Sequence, residues 1–114
     1  MASVRIDDLC AEIEAEVYVQ GDMSREVARA AVGDLLSFVM GSGAEGAAWI
    51  TVQTHLNVAA VAVLKDIPII IIASGRVPAN DLTERCRVEG ISLVGAKSSI
   101  FDICVKLGRL GLRG

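Results

Sequence analysis

Trp49 to Ser74 reads WITVQTHLNVAAVAVLKDIPIIIIAS, and three local patterns follow one another inside it. Trp49-Ile50-Thr51-Val52 is a short β-rich run, Asn57 to Lys65 has apolar residues at helical spacing, and Ile67 to Ala73 is almost wholly apolar and β-branched. That order predicts a strand, a helix and a second strand, a βαβ unit. Ile69-Ile70-Ile71-Ile72 alternates nothing, so both faces of this strand must be covered, as in parallel sheets. The expected fold class is α/β, a layered fold with a mainly parallel sheet of four to five strands.

Towards the N-terminus, Ser3 is read as the cap of a helix of about ten residues, with Val4, Ile6, Leu9, Cys10 and Ile13 as its apolar stripe. Glu16 to Gln20 alternates as a strand, and Gly21-Asp22 turns the chain. Arg25 to Val32 is read as one short strand, because Val27, Arg29 and Ala31 alternate. Asp34 then caps a short helix over Leu35 to Met40, and Gly41 to Gly46 forms a loop. Beyond the central unit, Asn80 is read as the cap of a helix through Arg87 that ends at Gly90. Ile91 to Val94 is the next strand, and Ser98 or Ser99 caps a last helix, Ile100 to Leu110.

The chain has 114 residues, of which 53% are hydrophobic, and it is expected to form one domain, residues 1–114. A mean hydropathy of +0.53 leaves surplus apolar surface, which predicts burial against a second copy, a homodimer, or against a partner. A net charge of −3 with scattered basic residues argues against nucleic acid as a partner. Lys65-Asp66 and Pro68 divide the apolar runs, so no membrane span is expected, and Met1 to Asp8 lacks the apolar core of a secretory signal. These readings predict a cytoplasmic protein. Cys10, Cys86 and Cys104 are odd in number, far apart and without a Cys-x-x-Cys pair, which predicts free, buried or half-buried thiols.

Three strands that each feed a helix should lie side by side and parallel, with their carboxyl ends along one edge. Ligands of open α/β sheets bind at that edge. The residues delivered there are Gln53, Thr54, His55 and Asn57 from the first loop, Ser74, Gly75 and Arg76 from the second, and Lys97, Ser98 and Ser99 from the third. Two cations, several hydroxyls and helix N-termini predict an anion site. Arg76 reads either as an anion contact or as part of a structural or interface salt bridge. His55, the single histidine, reads as a turn-former or cap, as a ligand contact, or as a general base lacking a defined partner. It excludes metal sites built on several imidazoles, and no nucleophile elbow G-x-S-x-G is present. The carboxylates of Asp7-Asp8 and of Glu12, Glu14 and Glu16 read as solvated helix faces.

Two phosphate-loop look-alikes fail on context. Gly41-Ser42-Gly43-Ala44-Glu45-Gly46 matches G-x-G-x-x-G but precedes a strand, whereas a dinucleotide fingerprint follows one. Gly90 to Ser98, GISLVGAKS, resembles a Walker A loop, but Ala96 separates Gly95 from Lys97 and a strand runs through it.

Arg25-Glu26-Val27, Gly33 to Met40, Ala48 to Val58 with its W-I-T-V-Q-T-H-x-N-V, and Ser74-Gly75-Arg76-Val77-Pro78 together resemble the stand-alone DRTGG-domain proteins. The likeness runs over nearly the whole chain. The string DRTGG itself is absent, and Ala28-Arg29-Ala30-Ala31 stands where relatives tend to have Thr and Gly. The resemblance implies an α/β fold similar to the N-terminal domain of HPr kinase/phosphatase and to the uridine-nucleotide-binding N-domains of some Mur ligases. It implies a dimerising regulatory element, as in inorganic pyrophosphatases where the module lies between CBS domains. Small free-standing members resemble proteins encoded beside iron hydrogenases, and the serine-kinase label some carry belongs to a P-loop domain that this chain lacks.

The function expected is a non-catalytic, homodimeric regulatory or ligand-binding domain with no cofactor, taking a nucleotide or other phosphorylated small molecule at the strand-end site. The alternative is a protein-interaction module for a hydrogenase or other electron-transfer complex, without a small-molecule ligand. An enzyme acting on a phosphorylated substrate is disfavoured, because no set of nucleophile, base and metal can be assembled.

Overall fold

Ile69-Ile70-Ile71-Ile72 forms a central strand with every side chain buried, and helices lie against both faces of the sheet that contains it. The computed structural model describes residues 3–33 and 45–114. Within them the order is β1 (Val4–Arg5), α1 (Ile6–Glu12), β2 (Glu16–Val19), β3 (Glu26–Val27), β4 (Ala30–Val32), β5 (Ala48–Thr51), α2 (Asn57–Leu64), β6 (Ile69–Ile72), α3 (Asn80–Glu89), β7 (Ser92–Gly95) and α4 (Ile100–Arg109). Five strands form one sheet in the order β2-β7-β6-β5-β4. β4, β5, β6 and β7 are parallel, with Trp49 opposite Ile70 and Ile70 opposite Leu93, while β2 runs antiparallel beside β7. The fold is therefore α/β with a mainly parallel sheet.

Alternation along β6 divides the core in two. Ile70 and Ile72 face Trp49, Val58, Ala62, Leu82 and Cys86, the side of the sheet covered by α2 and α3. Ile69 and Ile71 face Ile6, Leu9, Ile103 and Leu107, the side covered by α1 and α4. The unbroken isoleucine run is thus the signature of a strand without a solvent face. Trp49 is fully buried, and its indole N–H donates to the Gly33 carbonyl at 3.0 Å, so its ring needs no water.

Tertiary pairing corrects several local readings. Ser3 does not cap α1: its hydroxyl donates to Glu26 Oε1 at 2.7 Å, and Arg5 is the residue before the helix. The displacement follows from pairing of Val4-Arg5 with Glu26-Val27 in a small second sheet. The same pairing splits the single strand expected over Arg25 to Val32 into β3 and β4, which belong to different sheets. α3 starts after Ala79, with Asn80 inside it, and runs to Glu89; Gly90 ends it in the left-handed conformation, φ 71°. Of Ser98 and Ser99, the two expected caps of the last helix, it is Ser99 that caps α4, its hydroxyl accepting from the Asp102 amide at 3.2 Å. The helix expected over Leu35 to Met40, its Asp34 cap and the loop from Gly41 to Ala44 lie outside the described residues. Gly46 precedes β5, and β7 passes through the Walker-like segment.

Close packing at the amino end of β7 depends on Gly21. Its amide donates to the Ser92 hydroxyl at 3.1 Å. A Cβ there would collide with the Gly90 carbonyl oxygen and stand 2.9 Å from the Ser92 amide nitrogen. Backbone atoms cannot yield as a flexible side chain can, so Gly21→Ala is expected to lower stability by about 1–3 kcal/mol. Urea unfolding followed by Trp49 fluorescence measures it.

Cys10 and Cys86 are buried free thiols and Cys104 is a half-buried one. Burial pushes the first two thiols up from 9.0 to about 11, and raises Cys104 as well. The unfolded chain releases these protons at lower pH than the folded one. Stability is therefore expected to be untouched by them below pH 9 and to fall as pH rises from about 9 towards 11. Denaturation midpoints across that range check the sign.

Candidate functional site

The two helices that follow β6 and β7 leave the sheet on opposite faces: α3 packs with Ile70 and Ile72, α4 with Ile69 and Ile71. Loops that diverge in this way open a crevice at the carboxyl ends of the strands between them. A groove of about 380 Å³ lies there, within the ~300–1,000 Å³ usual for small-molecule sites. Gly75, Arg76 and Val77 border it from the loop after β6, Gly95 from the end of β7, and Ala96, Lys97 and Ser98 from the loop after it.

Its opposite wall comes from the segment joining α1 to β2. Because β2 is antiparallel, its first residue, Glu16, stands beside Gly95 at the carboxyl end of β7. Ile13, Glu14, Glu16 and Tyr18 border the groove on this side. The ladder between β2 and β7 slips between Val17 and Val19, which leaves Tyr18 as the extra residue of a bulge. A Cβ on Gly95 would sit 3.0 Å from Tyr18 Cε2, so it is the missing side chain that lets the ring lie against the strand end. A hydrogen bond to the Glu16 carboxylate raises the Tyr18 pKa and keeps the phenol protonated.

The groove is charged and asymmetric. Arg76 and Lys97 are exposed cations on one side, Glu14 and Glu16 exposed carboxylates on the other. No salt bridge joins them, and neither cation has an ion-pair partner among the described residues. Backbone strain gathers at the same rim. Of the three non-glycine residues with positive φ among the described residues, Glu14 (53°) borders the groove and Ser74 (63°) adjoins it. The backbone after β6 offers no phosphate cradle, because the Ser74 amide donates to the Ser98 carbonyl at 2.8 Å and the Gly75 amide to the Ala96 carbonyl at 2.9 Å. These two bonds lock the loops together.

Of the ten residues expected at the strand-end site, the groove gathers Gly75, Arg76, Lys97 and Ser98. Ser74 is engaged through its backbone, and the Ser99 hydroxyl serves α4. Gln53, Thr54, His55 and Asn57 follow β5, two strands away from β7, and do not border the groove. The Gln53 amide donates to Thr51 Oγ1 at 3.1 Å, and the Thr54 carbonyl accepts from the Ala79 amide at 3.0 Å, so this loop braces the start of α3. His55 is exposed in the turn before α2, its carbonyl accepting from the Val58 amide at 3.1 Å. Asn57 is the first residue of α2 and gives it no side-chain cap. Glu14, Glu16 and Tyr18 carry no motif; their one signal is the turn between helix and strand at Glu14-Ala15, whose destination beside β7 is a tertiary fact.

A second hollow of about 210 Å³ lies at the amino ends of β6 and β7, bordered by Asp22, Arg25, Asp66 and Glu89. Its one cation, Arg25, is already paired with Asp66 at 3.0 Å. No cluster of metal-binding side chains occurs among the described residues, and no helix among them is long and apolar enough to cross a membrane.

No protein-family model and no curated protein matches this chain. Among solved structures, its fold is similar to that of the CBS and DRTGG domains of the regulatory region of a Clostridium perfringens pyrophosphatase, complexed with the activator diadenosine tetraphosphate. The TM-score is 0.79 at 13% identity, over 93% of this chain and 46% of that one. The chain thus spans about half the length of the structure it matches. Its architecture is a DRTGG-like α/β fold, as the residues around Trp49 to Val58 imply.

Proposed function

We propose that this chain is a non-catalytic regulatory domain that binds a nucleotide or another phosphorylated small molecule in the groove between the β6 and β7 loops. The observation that carries this reading is the convergence of Arg76 and Lys97, from separate loops, on one cavity without carboxylate partners among the described residues. Two unpaired cations beside a cavity of this size suit an anion with a body attached, and Ser98 adds a hydroxyl. The fold neighbour belongs to a regulatory region complexed with a nucleotide activator, which supports a regulatory rather than a catalytic role. A thermal-shift screen against nucleotides, nucleosides and phosphorylated sugars tests it. A ligand at a hundredfold its Kd raises stability by about 2.7 kcal/mol, and a flat response to every phosphorylated compound would refute the reading.

Exposed apolar residues favour homodimerisation and, with it, a second reading, a protein-interaction module without a small-molecule ligand. α2 carries no charged side chain, and Leu64, 70% exposed, lies near the exposed Val63 on it. Phe101, at 74%, is likewise exposed on α4. Sedimentation at micromolar concentration separates the two states: a monomer indifferent to Leu64→Lys leaves the first reading alone.

A further inference from the structure

We propose that the groove holds a nucleoside phosphate in one orientation, with the nucleobase against the Tyr18 ring and the phosphate at Arg76 and Lys97. This rests on the reading of the groove as a ligand site and narrows it from phosphorylated molecules in general to nucleotides. Three features of the wall opposite the cations carry it.

The Tyr18 ring lies against a bare strand end, where Gly95 has no side chain to hold it away. It is half-buried and borders the cavity. An aromatic plane at the wall of a groove is a stacking surface for any nucleobase. The bulge that produces this placement leaves the ladder irregular, a device that re-aims a side chain at the end of a strand.

Glu14 and Glu16 make the same wall repel a second anion. A ligand that is anionic throughout would gain at Arg76 and Lys97 and lose at the carboxylates. A nucleotide avoids the conflict, because its hydroxyls and base N–H groups are donors and carboxylates are acceptors only. Glu16 and Tyr18 border the groove together, which puts acceptor and ring on one wall.

Titration calorimetry with adenosine 5′-monophosphate, uridine 5′-monophosphate and ribose 5-phosphate, on the intact chain, provides the test. The wild type should bind the two nucleotides more tightly than ribose 5-phosphate. Tyr18→Leu keeps apolar packing and removes the aromatic plane; it should weaken nucleotide binding about tenfold or more while leaving ribose 5-phosphate unchanged. Tyr18→Phe should restore it. Equal affinity for all three compounds, or equal weakening of all three by Tyr18→Leu, would overturn the orientation and leave the anion site standing. No binding of any phosphorylated compound by the wild type would overturn both.

Discussion

Replacing Ile70 or Ile71 by alanine is expected to cost about 2–5 kcal/mol in each case, measured by urea unfolding with Trp49 as the reporter. Both side chains are 0% exposed, but they point into different halves of the core, Ile70 towards α2 and α3 and Ile71 towards α1 and α4. Near equality of the two losses is the informative outcome. A strand with one wet face would show a large loss at one position and less than about 0.5 kcal/mol at the next. Against a typical total of about 5–15 kcal/mol, either substitution removes a sizeable part of the stability. The double variant should be unfolded, or nearly so, at room temperature.

The opposite pattern is expected at the groove. Arg76→Ala with Lys97→Ala should leave stability within about 0.5 kcal/mol of the wild type, because both side chains are exposed and outside every ion pair among the described residues. Hydrogen bonds to charged groups contribute about 1.5–3 kcal/mol each. Loss of both cations should therefore weaken a phosphorylated ligand at least ~100-fold. Calorimetry on the variant, beside its unfolding curve, reads both quantities. Retained affinity would remove the groove as the binding site, and a stability loss of several kcal/mol would make the two residues structural.

What could be read in advance differs from one side of the groove to the other. Arg76 and Lys97 were legible because each follows a predicted strand directly, and a parallel strand delivers its next residues to the carboxyl edge whatever the rest of the fold does. Gln53 to Asn57 satisfied the same rule and yet lie apart, since the rule gives an edge and not a position along it. Strand order places β7 beside β6 and one strand further from β5. Ser99 was legible as a cap because the Asp102 amide it accepts from is three residues away. Ser3 was misread for the reverse reason: its partner, Glu26, is 23 residues distant.

By itself, the sequence determined the class of fold and the buried strand. Apolar period, β-branching and helix ends act over a few residues, and Trp49 to Ser74 contains all of them. Only the tertiary structure decided that β2 enters the sheet antiparallel beside β7, bringing Glu14, Glu16 and Tyr18 to the loops of Arg76 and Lys97. Val17 meets Val94, and no local pattern links positions so distant in the chain. Such pairing is chosen by the burial of whole faces, a property of the assembled sheet rather than of any segment in it.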